Sequence, residues 1–372
     1  MSYKELEGNP FMAKIRAIFY AFRPKLTIFD LRLSIYRKGM VDILSVIHAL
    51  RAPKLYTQTI KIVAVDVESI AVGNNAVAAR CTVAGYEQPM LLKCYYRPKR
   101  NLEYIYGLAY KRREFGVPLL SGIIEYIDVV AIPWVEGVSL DYLIGSPTTN
   151  YEALSRAFDR LALSTLNEEK AHGDIKPDNI IVKRDGEMVL VDWDGAWLPQ
   201  MHSTAGDEIG TKAYRHPLRT AADFGDAIDD YPIAILSTTL AALAYDRAYF
   251  EPRLNADKQL FDIDLITSHS DEVLQAAMTT FVRHRDAAHY RIAMSLYSAY
   301  VSLLGLEGFI AAAQVSLPDS IGRDAVIRRQ GMLMGCVDAN GWIIPPLFNA
   351  ITIGDKQGVL SLEEGDILIA IK

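Results

Sequence analysis

The chain of 372 residues has few cysteines, no long apolar run and no large excess of charge of one sign, and each scarcity excludes a class of protein. Its three cysteines, Cys81, Cys94 and Cys336, are far apart and lack metal-ligand spacing. That excludes a disulfide framework or a cysteine-based zinc module and fits a reducing compartment. The longest apolar run, Tyr231 to Tyr245, is broken by Ser237, Thr238 and Thr239. It falls short of the about 20 apolar residues that span a bilayer, so no transmembrane segment is expected. With a net charge of −6, the chain as a whole is no obvious nucleic-acid binder. The first residues are polar and acidic at Glu5, Glu7 and Asn9, unlike a secretory signal. A cytoplasmic location is the expectation.

What remains is an ordinary globular composition, 51% hydrophobic and 23% charged, with ample material for a core. Charge is uneven along the chain. Residues 1–56 hold ten Lys/Arg against four Asp/Glu, a net of +6 that leaves −12 for the remainder. Apolar residues recur at helical spacing at Phe11, Ile15, Phe19 and Tyr20, and a second pattern runs from Ile28 to about Leu50, before Ala52-Pro53. Residues 1–56 are therefore predicted to be a helical extension. Its interleaved basic residues fit either a membrane surface or, as we favour, packing on the next domain.

Residues 57–145 read as a β-rich domain. Ile60–Val67, Ala76–Val83 and Met90–Tyr95 are strand-like, Asn101–Phe115 is predicted to be a helix, and Ile123–Tyr126 and Val129–Trp134 are strands around Asp128. From 146 to 325 the chain is mainly helical. Residues 326–372 form a small β segment, the fourth predicted domain.

Two stretches carry chemistry. Residues 172–179 read His-Gly-Asp-Ile-Lys-Pro-Asp-Asn, and residues 191–195 read Val-Asp-Trp-Asp-Gly, which sets Asp192 eighteen residues after Asp174. Between them lie two strand-like runs, Ile180–Val182 and Met188–Val191, around a Lys183-Arg184-Asp185-Gly186 turn. Phosphoryl transfer needs an aligner for the attacking hydroxyl, oxygen ligands for magnesium and cations for phosphate charge. Magnesium prefers one or two carboxylate or amide oxygens plus phosphates and water. Asp174 suits the first task, Asn179 and Asp192 the second, and Lys176 the third.

The pattern H-x-D-x-K-x-x-N followed by a hydrophobic strand and an aspartate resembles the catalytic and metal-binding loops of the bacterial protein-kinase-like superfamily. The resemblance implies an α+β, bilobal fold, with a small β-rich N-lobe and a larger helical C-lobe. It also implies dependence on ATP and Mg2+ and transfer of the γ-phosphate to Ser/Thr hydroxyls of a protein substrate. On the same resemblance, Lys93 holds the α- and β-phosphates, braced by Glu103, with Glu114 as the alternative. Ile132-Pro133-Trp134-Val135-Glu136-Gly137 resembles the hinge, where the Pro133 carbonyl and the Val135 amide pair with adenine and Ile132 backs it. Gly73 begins the turn that matches the glycine-rich loop. Gly210-Thr-Lys-Ala-Tyr-Arg-His-Pro217 resembles the segment where a peptide substrate docks, and Asp230, or Asp229, the aspartate that anchors the catalytic loop. A stretch from Gly335 to Phe348 resembles one unit of short WG-type repeats.

The chain also departs from the family pattern. One glycine remains in Gly73-Asn-Asn-Ala-Val-Ala-Ala79, where the family has three. Gly173 replaces an arginine that in many kinases grips a phosphorylated segment, so activity is expected not to need phosphorylation of Ser203, Thr204 or Thr211. Asp192-Trp193-Asp194 replaces Asp-Phe-Gly. His-Gly-Asp and Asp-Trp-Asp also occur in small-molecule kinases of the aminoglycoside and choline type, which makes such an enzyme the first alternative. A nucleotide-binding pseudokinase serving as an interaction module is the second.

Overall fold

The computed structural model describes residues 41–119, 121–202, 205–284, 286–298, 301, 306 and 310, and the backbone of four strands between 325 and 370. Residues 1–40, Ser203, Thr204 and 338–342, on which some of the sequence expectations fall, lie outside the described residues. The protein is α+β, with curled antiparallel sheet and helices in two compact units, 1–134 and 135–372.

Unit 1 is built on six antiparallel strands: β1 (Ile62–Val65), β2 (Ala71–Val72), β3 (Ala76–Val83), β4 (Met90–Tyr95), β5 (Tyr110–Pro118) and β6 (Ile124–Pro133). The spatial order is β1-β3-β4-β6-β5, with β2 also paired to β3. Alternation sends successive side chains to opposite faces. On one face Val77, Ala79, Cys81, Leu92, Cys94, Phe115 and Val129 pack with helix α1 (Ile43–Leu50), whose Val46, Ala49 and Leu50 are fully buried there. Asp42 caps α1 by accepting the Ser45 N–H at 3.0 Å. The helix ends at Leu50, where Ala52-Pro53 made the sequence pattern stop. On the opposite face Ala76, Tyr95, Leu102 and Val130 form a smaller cluster against Ile132, Tyr106 and Tyr110.

The helix expected over Asn101–Phe115 is not found. Only α2 (Leu102–Tyr106) is α-helical; a short 3-10 turn follows, and Tyr110–Pro118 is strand β5. The β5–β6 register shifts between Lys111 and Phe115, with Arg113 at φ 50 and its N–H donated to Asp128 Oδ1 at 2.8 Å. An edge strand with a bulge shows neither strict alternation nor apolar periodicity, and charged Lys111-Arg-Arg-Glu114 reads as helix surface.

Unit 2 begins at Val135, so β7 (Val138–Ser139) belongs to it and pairs with β8 (Ile180–Val182), which pairs with β9 (Met188–Leu190). Helices α3 (Leu140–Leu143), α4 (Tyr151–Leu166), α5 (Asp230–Tyr245), α6 (Arg247–Phe250), α7 (Ile263–Thr267), α8 (Glu272–His284) and α9 (Ala287–Ser295) supply most of its core. Helix α5 is buried on nearly every side, from Asp230 to Leu243. Residues 226–245 are apolar and long enough to cross a membrane by length and composition, but most of the stretch is buried in this core. Its polar Ser237 is satisfied by donating to Asp159 Oδ1 at 3.0 Å. At the end of the chain, β10 (Ala325–Arg329), β11 (Met332–Val337), β12 (Ile343–Ile344) and β13 (Ile367–Ala370) form an antiparallel sheet in the order β12-β11-β10-β13.

Candidate functional site

The β8–β9 hairpin organises unit 2's polar loops. Asn179 immediately precedes β8, and the Val191 N–H donates to the Asn179 carbonyl at 2.9 Å, extending the ladder by one step. Asp192 therefore follows directly on the partner of Asn179. It lies in the left-handed region, φ 65 and ψ 59, before a 3-10 turn at Trp193–Gly195. The expected pairing of loop and hairpin is present in the backbone.

The loop at 172–179 is pinned from below. The His172 and Gly173 N–H groups both donate to the carboxylate of Asp229, the latter at 2.8 Å. Asp229 is 2% exposed, and burial pushes its carboxyl up, against the pull of the two backbone donors and Arg219. The anchor is thus Asp229; Asp230, the first choice from sequence, is the first residue of helix α5. His172 is fully buried, its Nε2 2.9 Å from the Val191 carbonyl and its Nδ1 accepting the Asp174 N–H at 3.3 Å. Those partners require the Nε2–H tautomer and leave neither nitrogen for proton transfer. The Trp193 ring lies tilted against His172, centroids 4.8 Å apart at 58°, and the Lys170 ammonium lies 4.5 Å from the Trp193 ring centroid.

Gly173 is a local requirement. Its φ is +82, and a Cβ there would lie 2.2 Å from the Gly195 carbonyl oxygen. No side chain fits, whatever its chemistry.

Above this base Asp174 projects a half-buried carboxylate. Its Oδ1 accepts the Thr211 N–H at 2.6 Å, and its Oδ2 lies 3.7 Å from Lys176 Nζ. Lys176 Nζ is also 3.9 Å from Asp178 Oδ2. The Asn179 amide nitrogen donates to the Asp174 carbonyl at 2.9 Å and lies 3.4 Å from its Oδ2. With the nitrogen so committed, the amide oxygen is the atom left for a cation. Asn179 and the Asp192 carboxylate are the oxygen donors that Mg2+ favours. Among the described residues no group of three or more His, Cys, Asp or Glu side chains has metal-binding geometry, so a site built on these two would need further ligands from substrate and water.

The segment expected to dock a peptide is in contact with the loop through Thr211. The Arg215 guanidinium donates to the Gly210 carbonyl at 3.0 Å, and Tyr214 is buried with its hydroxyl on the Asp257 carbonyl at 2.7 Å. Arg219, which the sequence reading passed over, is 6% exposed and donates to the Gly173 carbonyl at 3.1 Å. An arginine after Pro-Leu carries no sequence signal of burial.

The remaining expected residues lie at or before the boundary of unit 1. Lys93 is in the middle of β4, opposite Ala78 on one side and Val130 on the other. Alternation puts it on the face of Ala76, Tyr95 and Ile132, away from the α1 core, and its ammonium lies 5.6 Å from the Tyr95 ring centroid. Pro133 is the last residue of β6, facing Met90; Val135 is the first residue of unit 2. Gly73 sits in a tight turn in which its N–H donates to the Ala76 carbonyl at 2.8 Å. The Tyr96 hydroxyl is 2.7 Å from both the Gly73 and Asn74 carbonyls, so a side chain fastens this turn.

Glu103 is exposed in the first turn of α2, where its charge helps to raise the Tyr110 hydroxyl, behind burial and Asp128. It does not stand on the long helix from which its bracing role was inferred. The alternative, Glu114, is excluded from that role by its bonds. Buried in β5, it accepts from the N–H groups of Gln58, Thr59 and Ile60 at 3.0, 2.6 and 2.7 Å, and from the Thr59 hydroxyl at 2.8 Å. It fastens the chain entering β1. Compared with models of known protein families and with curated proteins, the chain matches none.

Proposed function

We propose that the chain is a protein-kinase-like phosphotransferase, dependent on ATP and Mg2+, that transfers the γ-phosphate to a Ser or Thr hydroxyl of a protein. The observation that carries the reading is the set around Asp174: a carboxylate oriented by the Thr211 N–H, an ammonium 3.7 Å away, and an amide oxygen on the same loop. Phosphoryl transfer is served by positioning plus electrostatic stabilisation, and a carboxylate, a lysine and a hard-cation ligand within six residues can supply both.

In this reading Asp174 orients the acceptor hydroxyl and takes its proton, while Lys176 offsets charge on the transferred group. Asn179 and Asp192 would hold Mg2+, which when bound neutralises phosphate charge. Lys93 binds the α- and β-phosphates, with Gly73, Ile132, Pro133 and Val135 as the remaining nucleotide-binding residues and Glu103 as the brace of Lys93. The assignments in unit 1 rest on the sequence resemblance, supported by the shared sheet face of Lys93 and Ile132. The bilobal kinase fold is part of the same proposal.

A protein acceptor is favoured over a small molecule because the Gly210–Pro217 segment contacts the catalytic carboxylate itself. Gly173, which leaned towards small-molecule kinases, is explained by local geometry. The test is transfer of labelled γ-phosphate from Mg-ATP to the protein itself and to a generic basic protein. Turnover with added sugars or amino alcohols but not with protein would replace this acceptor by a small one.

A further inference from the structure

The loop at 172–174 rests on a buried carboxylate, Asp229, and carries a half-buried one, Asp174; Lys176 Nζ lies 3.7 Å from Asp174, but the cation that acts on both carboxylates is not on this loop. Position 173 cannot supply one, because a Cβ there would meet the Gly195 carbonyl oxygen at 2.2 Å. The cation comes from another segment. Arg219 follows the turn closed by its own N–H on the His216 carbonyl at 3.0 Å, and its Nη1 donates to the Gly173 carbonyl at 3.1 Å. Gly210 makes room for it: a Cβ at that residue would lie 3.2 Å from Nη1 and 3.5 Å from Asp174 Oδ1.

The groups that act electrostatically on the guanidinium are Asp229 from the turn entering helix α5, Asp174 from the loop, and Arg215 and Asp223 from its own segment. Burial works against its charge; Asp229 and Asp174 favour it. Its Nε is buried without a hydrogen-bond partner. A side chain placed to fill space or to saturate hydrogen bonds would not leave a buried donor unmade, since an apolar residue of the same shape would be cheaper. Charge at this point is what the position retains.

We propose that Arg219 is a positioning residue, which supplies from the segment after Gly210 the cation that Gly173 cannot carry and so holds the 172–174 loop in its working geometry. This rests on the phosphotransfer reading for its consequence, but its electrostatic half does not. Because the cation is built in, the loop needs no phosphate on the 203–211 segment to be set.

The variants are Arg219→Met, which keeps volume and removes charge, and Arg219→Lys, which keeps charge. The first readout is the Tm of each variant between pH 5 and pH 8. Without Arg219 the Asp229 carboxylate is harder to keep ionised, so Arg219→Met should lose most against the wild type at pH 8. The gap should narrow towards pH 5 as Asp229 takes up a proton, while Arg219→Lys follows the wild-type profile. A gap that is the same at every pH would overturn the proposal and leave Arg219 as packing. The second readout is kcat and KM for Mg-ATP: Arg219→Met should lower kcat by about 10- to 100-fold, as small misplacements of reacting groups do, with KM within about twofold. Arg219→Lys should recover most of it; equal loss in both variants would also overturn the proposal. If Arg219→Met does not fold but Arg219→Lys does, the charge requirement is met in its strongest form. A wild type with no transfer but a pH-dependent gap would sink the phosphotransfer reading alone.

Discussion

Gly173→Ala is the sharpest structural perturbation the loop offers. The new methyl would meet the Gly195 carbonyl oxygen at 2.2 Å and its carbon at 2.9 Å, and backbone atoms cannot rotate away as a side chain can. Two costs add. A non-glycine residue at φ +82 costs about 1–2 kcal/mol, and forcing an extra carbon into a packed site costs about 1–3 kcal/mol. The sum is about 2–5 kcal/mol, or a Tm lower by roughly 5–20 °C for a unit of this size. Gly186→Ala is the matched control: its φ is +86, but nothing lies within 4 Å of a Cβ there, so only the first cost applies. Thermal unfolding followed by circular dichroism measures both. The reasoning fails if the two variants lose the same Tm, because the difference between them isolates the clash. If Gly173→Ala still folds, the Gly195 carbonyl must move, and with it the anchoring of His172 and Gly173 on Asp229.

Two further predictions concern stability away from the loop. His289 in helix α9 is held between two carboxylates, with Nδ1 2.5 Å from Asp286 Oδ2 and Nε2 3.4 Å from Asp159 Oδ2, an ion-pair distance without hydrogen-bond alignment. Burial disfavours its charge, but the two carboxylates outweigh burial and raise it from 6.5 to about 10. A raised pKa stabilises the fold fully below 6.5 and is lost as pH rises through 10. Urea unfolding should therefore show wild type losing about 4 kcal/mol more than His289→Gln between pH 7 and pH 10.5; parallel profiles would contradict the assignment. Glu114→Gln removes acceptor capacity from a carboxylate that takes four hydrogen bonds and should cost about 2–4 kcal/mol in the same assay, with any ATP affinity unchanged. A large fall in ATP affinity at full stability would return Glu114 to the role of the Lys93 brace.

The parts of the fold legible in the sequence were those with sharp punctuation. Strands Ala76–Val83 and Met90–Tyr95 end where they were expected, because mainly apolar runs are bounded by Gly73-Asn-Asn, by Ala84-Gly85 to Pro89 and by Arg97-Pro98. The 172–195 hairpin was legible for the same reason. Strand β5 was not, because a bulged edge strand rich in Arg and Glu has helix-like composition, and Glu114 is buried only through hydrogen bonds to residues more than fifty positions earlier. The choice between Asp229 and Asp230 depended on where a 3-10 turn gives way to helix, a distinction of one residue that spacing cannot make. Gly173 read as the loss of an arginine; the structure supplies its positive reason in the Gly195 carbonyl, and the nearby Arg219, whose guanidinium donates to the Gly173 carbonyl, carried no sequence signal.

The central claim is that Asp174 acts on an acceptor hydroxyl. Transfer of labelled γ-phosphate from Mg-ATP by wild type and by Asp174→Asn tests it most directly. The asparagine keeps an oxygen for the Thr211 N–H, so the fold should hold and its Tm should stay near that of the wild type. The account predicts transfer by the wild type and a loss of about 10²–10⁴ in the variant, the usual contribution of a general base. Transfer that falls less than about threefold, or a wild type that neither transfers phosphate nor binds ATP, would contradict it.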